Sequence, residues 1–489
     1  MTRFLVFVLL AAITALGTET SSFPVSSDTP VTFNKDVLPI LQTNCQSCHR
    51  PGAVAPMSFL TYESTRPWAK AMKAAVLSKR MPPWFADPHY GGWRNEPKLT
   101  QADINTISTW VDSGAREGDQ RDMPPALQWT EGWRIDPDVI VRMPERYKVA
   151  AKGEGEIKQF TVPNPFKEDT WVSSIEIRPG DPSVVHHVIV QIPEQDPVAM
   201  TLAAVKGAVP AVFKKVVSNV DGVPVNRQDG GGAYGQDRRL ELLTGRGSFT
   251  TMEAVYAPGS QPLDFRFMNS AKLIRGGSEI RIEVHYTPNG KETWDQTMVG
   301  FTLANAPAQR RFVIMAPEHL IDQRKPIPAG EANWETSGEL TFNQAADLVW
   351  FMPHMHLRGK DMTFRLIYPN GREETVLRAR FNFHWQLSYE VDEPIRVPKG
   401  TRMVVTAHHD NSANNPLNPT PDKMVGWGEM TGEEMMLPWF GVVVDRDVRP
   451  DMIASYKPGD FDGPAPKSPL VGGTPRLGIP QPAIFRPIR

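Results

Sequence analysis

Three groups of residues in this chain could do chemistry. Cys45-Gln46-Ser47-Cys48-His49 sets two thiols three positions apart with an imidazole directly after the second. That order lets two thioether links form to porphyrin vinyl groups while the neighbouring imidazole reaches the iron, so it predicts one covalently attached c-type haem. The rival readings are an exposed redox pair and half of a zinc site. No second cysteine pair exists to complete a zinc site, because these are the only 2 cysteines in 489 residues.

The other two groups are built from histidine and methionine. His186-His187 and His285 form one, and His354-Met355-His356 with Met435 the other. A His-x-His pair on a strand turns both rings to one face, as a single metal requires, whereas a tandem pair points to opposite faces unless a bulge re-aims it. Three imidazoles suit copper or zinc. Two imidazoles and a thioether favour copper that passes through Cu(I), because soft sulfur stabilises that state. The bland alternative is a set of core histidines with hydrogen-bond partners, and it weakens as the histidines cluster in apolar segments.

Several neighbours carry less. Met436 should face away from Met435 by strand alternation, and Met430 ranks below both. His408-His409 reads as a surface loop organised by its own Asx turns, with a supporting or substrate contact by His408 as the alternative. Glu433 and Glu434 are adjacent and would not present two acids across a substrate. Trp350, Trp385 and Trp427 read as packing.

These residues need two kinds of scaffold. The first 20 residues, with Arg3 ahead of an apolar run, read as an export signal and imply a periplasmic or secreted protein. Residues 31–118 carry helical spacing, including Ile104, Ile107, Trp110 and Val111, behind a capping box at Thr100 and Asp103. Residues 119–155 read as a connector. Beyond it, strand formers between Gly, Pro and Asn-Gly turns predict two mainly antiparallel, jelly-roll-like β-sandwiches, over 156–315 and 316–456. The run 230–235 (GGGAYG) reads as an exposed loop, and 457–489 as a Pro/Gly-rich tail. With 53 Lys+Arg against 55 Asp+Glu, a net charge of -2 gives no field for a nucleic acid.

The helical segment resembles small class I cytochromes c, in which a loop methionine precedes the last helix. That resemblance implies Met81, in a Pro-stiffened loop, as the second axial ligand of the iron, with Met57 as its competitor. Residues 156–450 resemble the copper type II ascorbate-dependent monooxygenases, the family of peptidylglycine alpha-hydroxylating and dopamine beta-monooxygenases. The motif order carries the likeness: His186-His187, Val284-His285-Tyr286, His354-Met355-His356-Leu357-Arg358-Gly359, and Glu433-Glu434-Met435.

The resemblance implies an electron-transfer copper on His186, His187 and His285 in the first sandwich. It implies an oxygen-activating copper on His354, His356 and Met435 in the second, the two facing each other across a solvent-filled cleft. O2, an organic substrate and an external electron donor would be the partners, and the reaction hydroxylation of a C-H bond. A dehydrogenase sending substrate electrons through copper to haem, and a non-enzymatic copper-binding electron carrier, are the alternatives. Two departures stand out: the family's animal members have disulfides where this chain has no cysteine after Cys48, and they lack a haem segment.

Overall fold

The computed structural model describes residues 30–192, 252–317 and 325–456, apart from positions 52, 54, 98, 129–131, 154, 278, 307, 316 and 429. The export segment, the 230–235 run and the tail lie outside the described residues. Among the described residues no helix is long and apolar enough to cross a membrane.

Among the described residues four α-helices come first: α1 Leu38–Asn44, α2 Tyr62–Thr65, α3 Ala69–Leu77 and α4 Gln101–Asp112. They close around Phe33, Leu38, Leu41, Phe59, Met72 and Trp110. The capping box at the start of α4 is present, since the Thr100 hydroxyl accepts from the Asp103 N–H at 3.1 Å and the Asp103 carboxylate accepts from the Thr100 N–H at 2.8 Å. The buried Trp110 indole donates to the Arg116 carbonyl at 2.8 Å and so ties the end of α4 to the chain leaving it.

This helical unit is not self-contained. Between α3 and α4 the chain crosses to the second sandwich, where Ala86 bridges to Ala379 and Trp93 to Val391. Asp87 N–H donates to the Arg378 carbonyl at 2.7 Å and Arg94 N–H to the Glu390 carbonyl at 2.8 Å. The cause is apolar: Trp93 is buried in the second core, and Met81, Trp84 and Phe85 pack against it.

The first β region holds β1 Val139–Arg142, β2 Tyr147–Val149, β3 Glu156–Pro163, β4 Thr170–Arg178, β5 Val185–Gln191, β6 Met252–Tyr256, β7 Leu263–Asp264, β8 Ser270–Ile274, β9 Glu279–Tyr286, β10 Thr293–Asp295 and β11 Met298–Leu303. The second holds β12 Arg310–Met315, β13 Trp334–Phe342, β14 Ala346–Met355, β15 Gly359–Ile367, β16 Glu373–Arg380, β17 Tyr389–Val397, β18 Arg402–His409, β19 Met436–Asp445 and β20 Ala454–Tyr456.

The two predicted sandwiches are joined rather than separate. One sheet runs β1-β11-β4-β8-β12-β19-β14-β17, with β7 on β4; opposite it stand β3-β9-β5-β6 in the first region and β16-β15-β18-β13-β20 in the second. The joint is β12, which pairs parallel with β8 and antiparallel with β19. Its side chains alternate between cores, Phe312 and Ile314 toward the first and Val313 and Met315 toward the second. β12 therefore belongs to both units, and a boundary at 315 cuts after a shared strand. The expected connector likewise contains β1, already paired with β11.

β14 and β19 are buried along both faces. Trp350, Met352, Leu437 and Trp439 join the first core, while Phe351, Met355, Met436 and Phe440 join the second. That double burial explains their nearly continuous apolar runs. It also turns one face of β14 and of β19 toward the histidines of β5 and β9.

Candidate metal centre

The tandem histidines converge because β5 is irregular. Val185 is registered with Tyr286 and His187 with His285, so His186 is the extra residue of a bulge. A bulge turns two successive side chains toward one side. As a result the ligand atoms of His186, His187 and His285 all lie within 4.8 Å of one another, in a buried setting. The Nδ1 atoms of His186 and His187 are 3.3 Å apart. Two ligands about 2.0 Å from one tetrahedral ion would be about 3.3 Å apart.

The second group sits where β14 and β19 meet. His354 is registered with Leu437 and Met355 with Met436, so His356 and Met435 lie just past the paired residues. β17 reaches only as far as Phe351 along β14. Pro353 therefore falls where β14 has lost that neighbour, and it costs no ladder bond there. A small cavity is lined by Ile157, His187, Ile189, Glu283, His354, His356, Met435 and Leu437. Met436 instead packs in the second core, 3.4 Å from the Thr336 hydroxyl, and Met430 is exposed.

The ring nitrogens show whether these residues suit a metal. Four of the five rings spend one nitrogen on a protein group. His186 Nε2 is 3.0 Å from the Phe383 carbonyl, His285 Nε2 2.8 Å from the Thr431 hydroxyl, His354 Nδ1 2.6 Å from Gln386 Oε1 and His356 Nδ1 3.1 Å from the Glu433 carbonyl. The carbonyl and amide oxygens select the tautomer and orient the ring, as they do around metal-bound histidines, while the Thr431 hydroxyl, able to donate or accept, orients His285 without choosing its tautomer. Of the opposite nitrogens, that of His186 faces the His187 ring. His285 Nδ1 is buried with no hydrogen-bond partner, a costly state that a metal would relieve. The donor sets fit a three-nitrogen site and a two-nitrogen, one-thioether site.

Burial keeps these rings neutral, the form that binds metal. It pushes His186 and His354 down to about 3 and His356 to about 4, and holds His187 and His285 well below the usual imidazole range. In the unfolded chain the same rings accept protons near pH 6.5. Their folded values are depressed, so their stabilising contribution is complete above about pH 6.5 and is lost as pH falls, toward about 4 for His356 and about 3 for His186 and His354, at about 1.4 kcal/mol per pH unit for each ring. Metal-free protein should therefore show a much lower urea midpoint at pH 5 than at pH 7.5. Equal midpoints would contradict neutral buried rings.

The two groups are not separated by solvent as the resemblance implied. The His187 and His354 ring centroids are 5.4 Å apart, and Thr431 of the second region bonds His285 of the first. The Phe383 ring stacks on His186 at 4.2 Å and 22°. The cleft is closed because the inward faces of β14 and β19 join the first core directly.

Supporting residues escaped the sequence reading. Glu434, fully buried, accepts from the backbone N–H groups of His356 at 3.1 Å and Arg358 at 2.6 Å, and so shapes the turn after His354. Burial raises its carboxyl to about 7 against the pull of those donors. His409, not His408, approaches the site, with Nε2 3.4 Å from the Met435 carbonyl. His408 pairs with Asp361 at 2.7 Å on the sheet. Glu283 lines the cavity two residues before His285, a same-face spacing that could have been noticed. Gly359 is required by close approach, since a Cβ there would lie 2.6 Å from both Met355 Cβ and the Phe381 ring. Gly359→Ala should cost about 1–3 kcal/mol in denaturant melts by overpacking; no loss would show that the turn can yield.

The cysteine motif follows α1 directly, with the His49 N–H donating to the Cys45 carbonyl at 2.9 Å. Both cysteines are free thiols, and burial pushes Cys45 up to about 12. The His49 ring stacks on Phe59 at 4.2 Å, and its buried Nδ1 has no hydrogen-bond partner. Two thiols beside an imidazole with an unpaired nitrogen fit covalent haem. Met57 packs against the helical core together with Cys45, whereas Met81 packs against the second-sandwich core, drawn there by the crossing segment. Arg50 and Cys48 lie near the first sandwich, within electrostatic reach of Glu176 and Tyr256 respectively.

No family model and no curated protein matches the chain. Among solved structures, PNGF-II aligns over 63% of this chain and 65% of its own, at 9% identity and a TM-score of 0.23. A structure of infectious bursal disease virus, Gx strain, aligns over 66% of this chain and 77% of its own, at 8% identity and a TM-score of 0.16. Likenesses this weak carry no argument.

Proposed function

We propose that this protein is an exported haem- and copper-dependent monooxygenase. The observation that carries the reading is the setting of the rings: four of the five histidines hold a protein partner on one nitrogen, and the ligand atoms of His186, His187 and His285 converge within 4.8 Å of one another. Bound copper would supply the one-electron chemistry that O2 requires. His186, His187 and His285 would hold one ion, and His354, His356 and Met435 the other.

The chain's own residues do the rest. Phe383, Thr431, Gln386 and the Glu433 carbonyl fix the rings, and Glu434 holds the backbone that presents His356. Ile157, Ile189 and Leu437 give the cavity apolar walls that limit water near the methionine. The position of Cys48 and Arg50 beside the first sandwich favours electron delivery from a haem on Cys45, Cys48 and His49 to the three-histidine group.

The test is oxygen accounting with candidate C-H substrates. A monooxygenase incorporates one atom of labelled O2 per turnover and shows no anaerobic haem reduction by substrate. Anaerobic haem reduction by substrate, with no label incorporated, would replace this reading with a dehydrogenase. Because Met81 packs on the second core, Met81→Leu should leave the optical spectrum of the haem unchanged. A loss of the low-spin bands would return Met81 to the iron.

A further inference from the structure

The loop between β16 and β17 touches one histidine of each group. Its Phe383 carbonyl is 3.0 Å from His186 Nε2, and its Gln386 Oε1 is 2.6 Å from His354 Nδ1. The two loop residues are themselves joined, since Gln386 Nε2 donates to the same Phe383 carbonyl at 3.4 Å. A continuous chain of hydrogen bonds thus runs from His186 through Phe383 and Gln386 to His354. Gln386 is only 1% exposed, so neither end of its amide has water as an easy substitute.

The direction of each bond follows from the chemistry. A carbonyl only accepts, so His186 must carry its proton on Nε2, leaving the Nδ1 lone pair toward His187. Gln386 Oε1 also only accepts, once its amide N–H is committed to Phe383, so His354 must carry its proton on Nδ1 and leave Nε2 free. One side chain therefore sets the tautomer of a ligand in the second group and steadies the carbonyl that sets a ligand in the first. The loop is itself held in place: Trp385 packs against Gly259, and the Asn382 side chain accepts from the His384 N–H at 3.0 Å.

We propose that Gln386 is the positioning residue that presets both metal groups together, by locking His354 directly and His186 through the Phe383 carbonyl. The inference rests on the copper reading above for its metal half, but the tautomer half stands without any metal. Loss of an outer partner of this kind typically weakens metal binding about 10–100-fold.

The experiment uses histidine-labelled, metal-free full-length protein for long-range proton–nitrogen NMR, then Cu(I) competition against a chromophoric chelator. The wild-type chain should show His354 protonated on Nδ1 and His186 on Nε2. Gln386→Leu should shift His354 toward the Nε2-protonated form and weaken one Cu(I) equivalent by about 10–100-fold, with a smaller loss at the other. Gln386→Glu keeps an acceptor for His354 but removes the N–H to Phe383. It should spare the second group and weaken only the first, and it serves if the leucine variant fails to fold. An unchanged His354 tautomer in Gln386→Leu, or unchanged Cu(I) affinities in both variants, would overturn the proposal. Absence of Cu(I) binding by the wild-type protein would instead sink the copper reading and leave the tautomer result intact.

Discussion

His356→Ala is expected to remove the second copper while leaving the first copper and the haem in place, and to lower oxygen-coupled turnover by at least about 1,000-fold, or about 4 kcal/mol. The ring supplies one of only two imidazoles in its group and lines the cavity beside Met435. Its replacement leaves the fold largely intact, because Glu434 accepts from the residue's backbone N–H rather than from its ring. The side-chain loss costs one bond to the Glu433 carbonyl. Copper content should therefore fall from two per chain to one, with the haem still reducible by an external donor. Retention of two coppers, or of most of the turnover, would contradict the assignment of His356.

Arg358→Ala should produce the largest loss of stability, about 3–5 kcal/mol. The guanidinium is fully buried and donates to Asn411 Oδ1 at 3.1 Å, the Gly432 carbonyl at 3.0 Å and the Thr420 hydroxyl at 3.1 Å. It also stands 4.0 Å from the buried carboxylate of Glu434. Truncation removes three bonds at once and leaves the buried Glu434 without its nearest cation, although Asn411 Oδ1 keeps a second donor in Asn418 at 2.9 Å. Because the loop carrying Thr431 to Met435 hangs on these bonds, the second copper should be lost at denaturant concentrations that leave the first bound. Denaturant melts read at both metal centres check this. A loss under about 1 kcal/mol would mean that water replaces the guanidinium.

Much of the site was legible because metal ligands are scarce residue types at telling spacings. The three histidines of β5 and β9 come together, and Met435, just ahead of β19, reaches the cavity while Met436 turns into the second core. The convergence of His186 with His187 depended on a bulge, which the tandem motif allowed but did not specify. Helical spacing and the Thr100 capping box led to α4 correctly.

What was not legible is long-range. Nothing local in 81–97 says that Trp93 buries in the second core or that Met81, whose N–H still bonds the Ala75 carbonyl of α3, packs against that core as well. Nor does the apolar run of β19 say which of its faces meets which core, and that sharing is what closes the cleft. Gln386 and His409 are ordinary residues in ordinary strings; only the fold brings them to His354 and Met435.

The most direct test of the central claim is metal quantification on purified full-length protein with optical and EPR spectra. The expected result is one covalent haem and two mononuclear coppers per chain, one lost selectively in His285→Ala and the other in His356→Ala. Zinc in these positions, or a single metal shared by all five histidines, would contradict it.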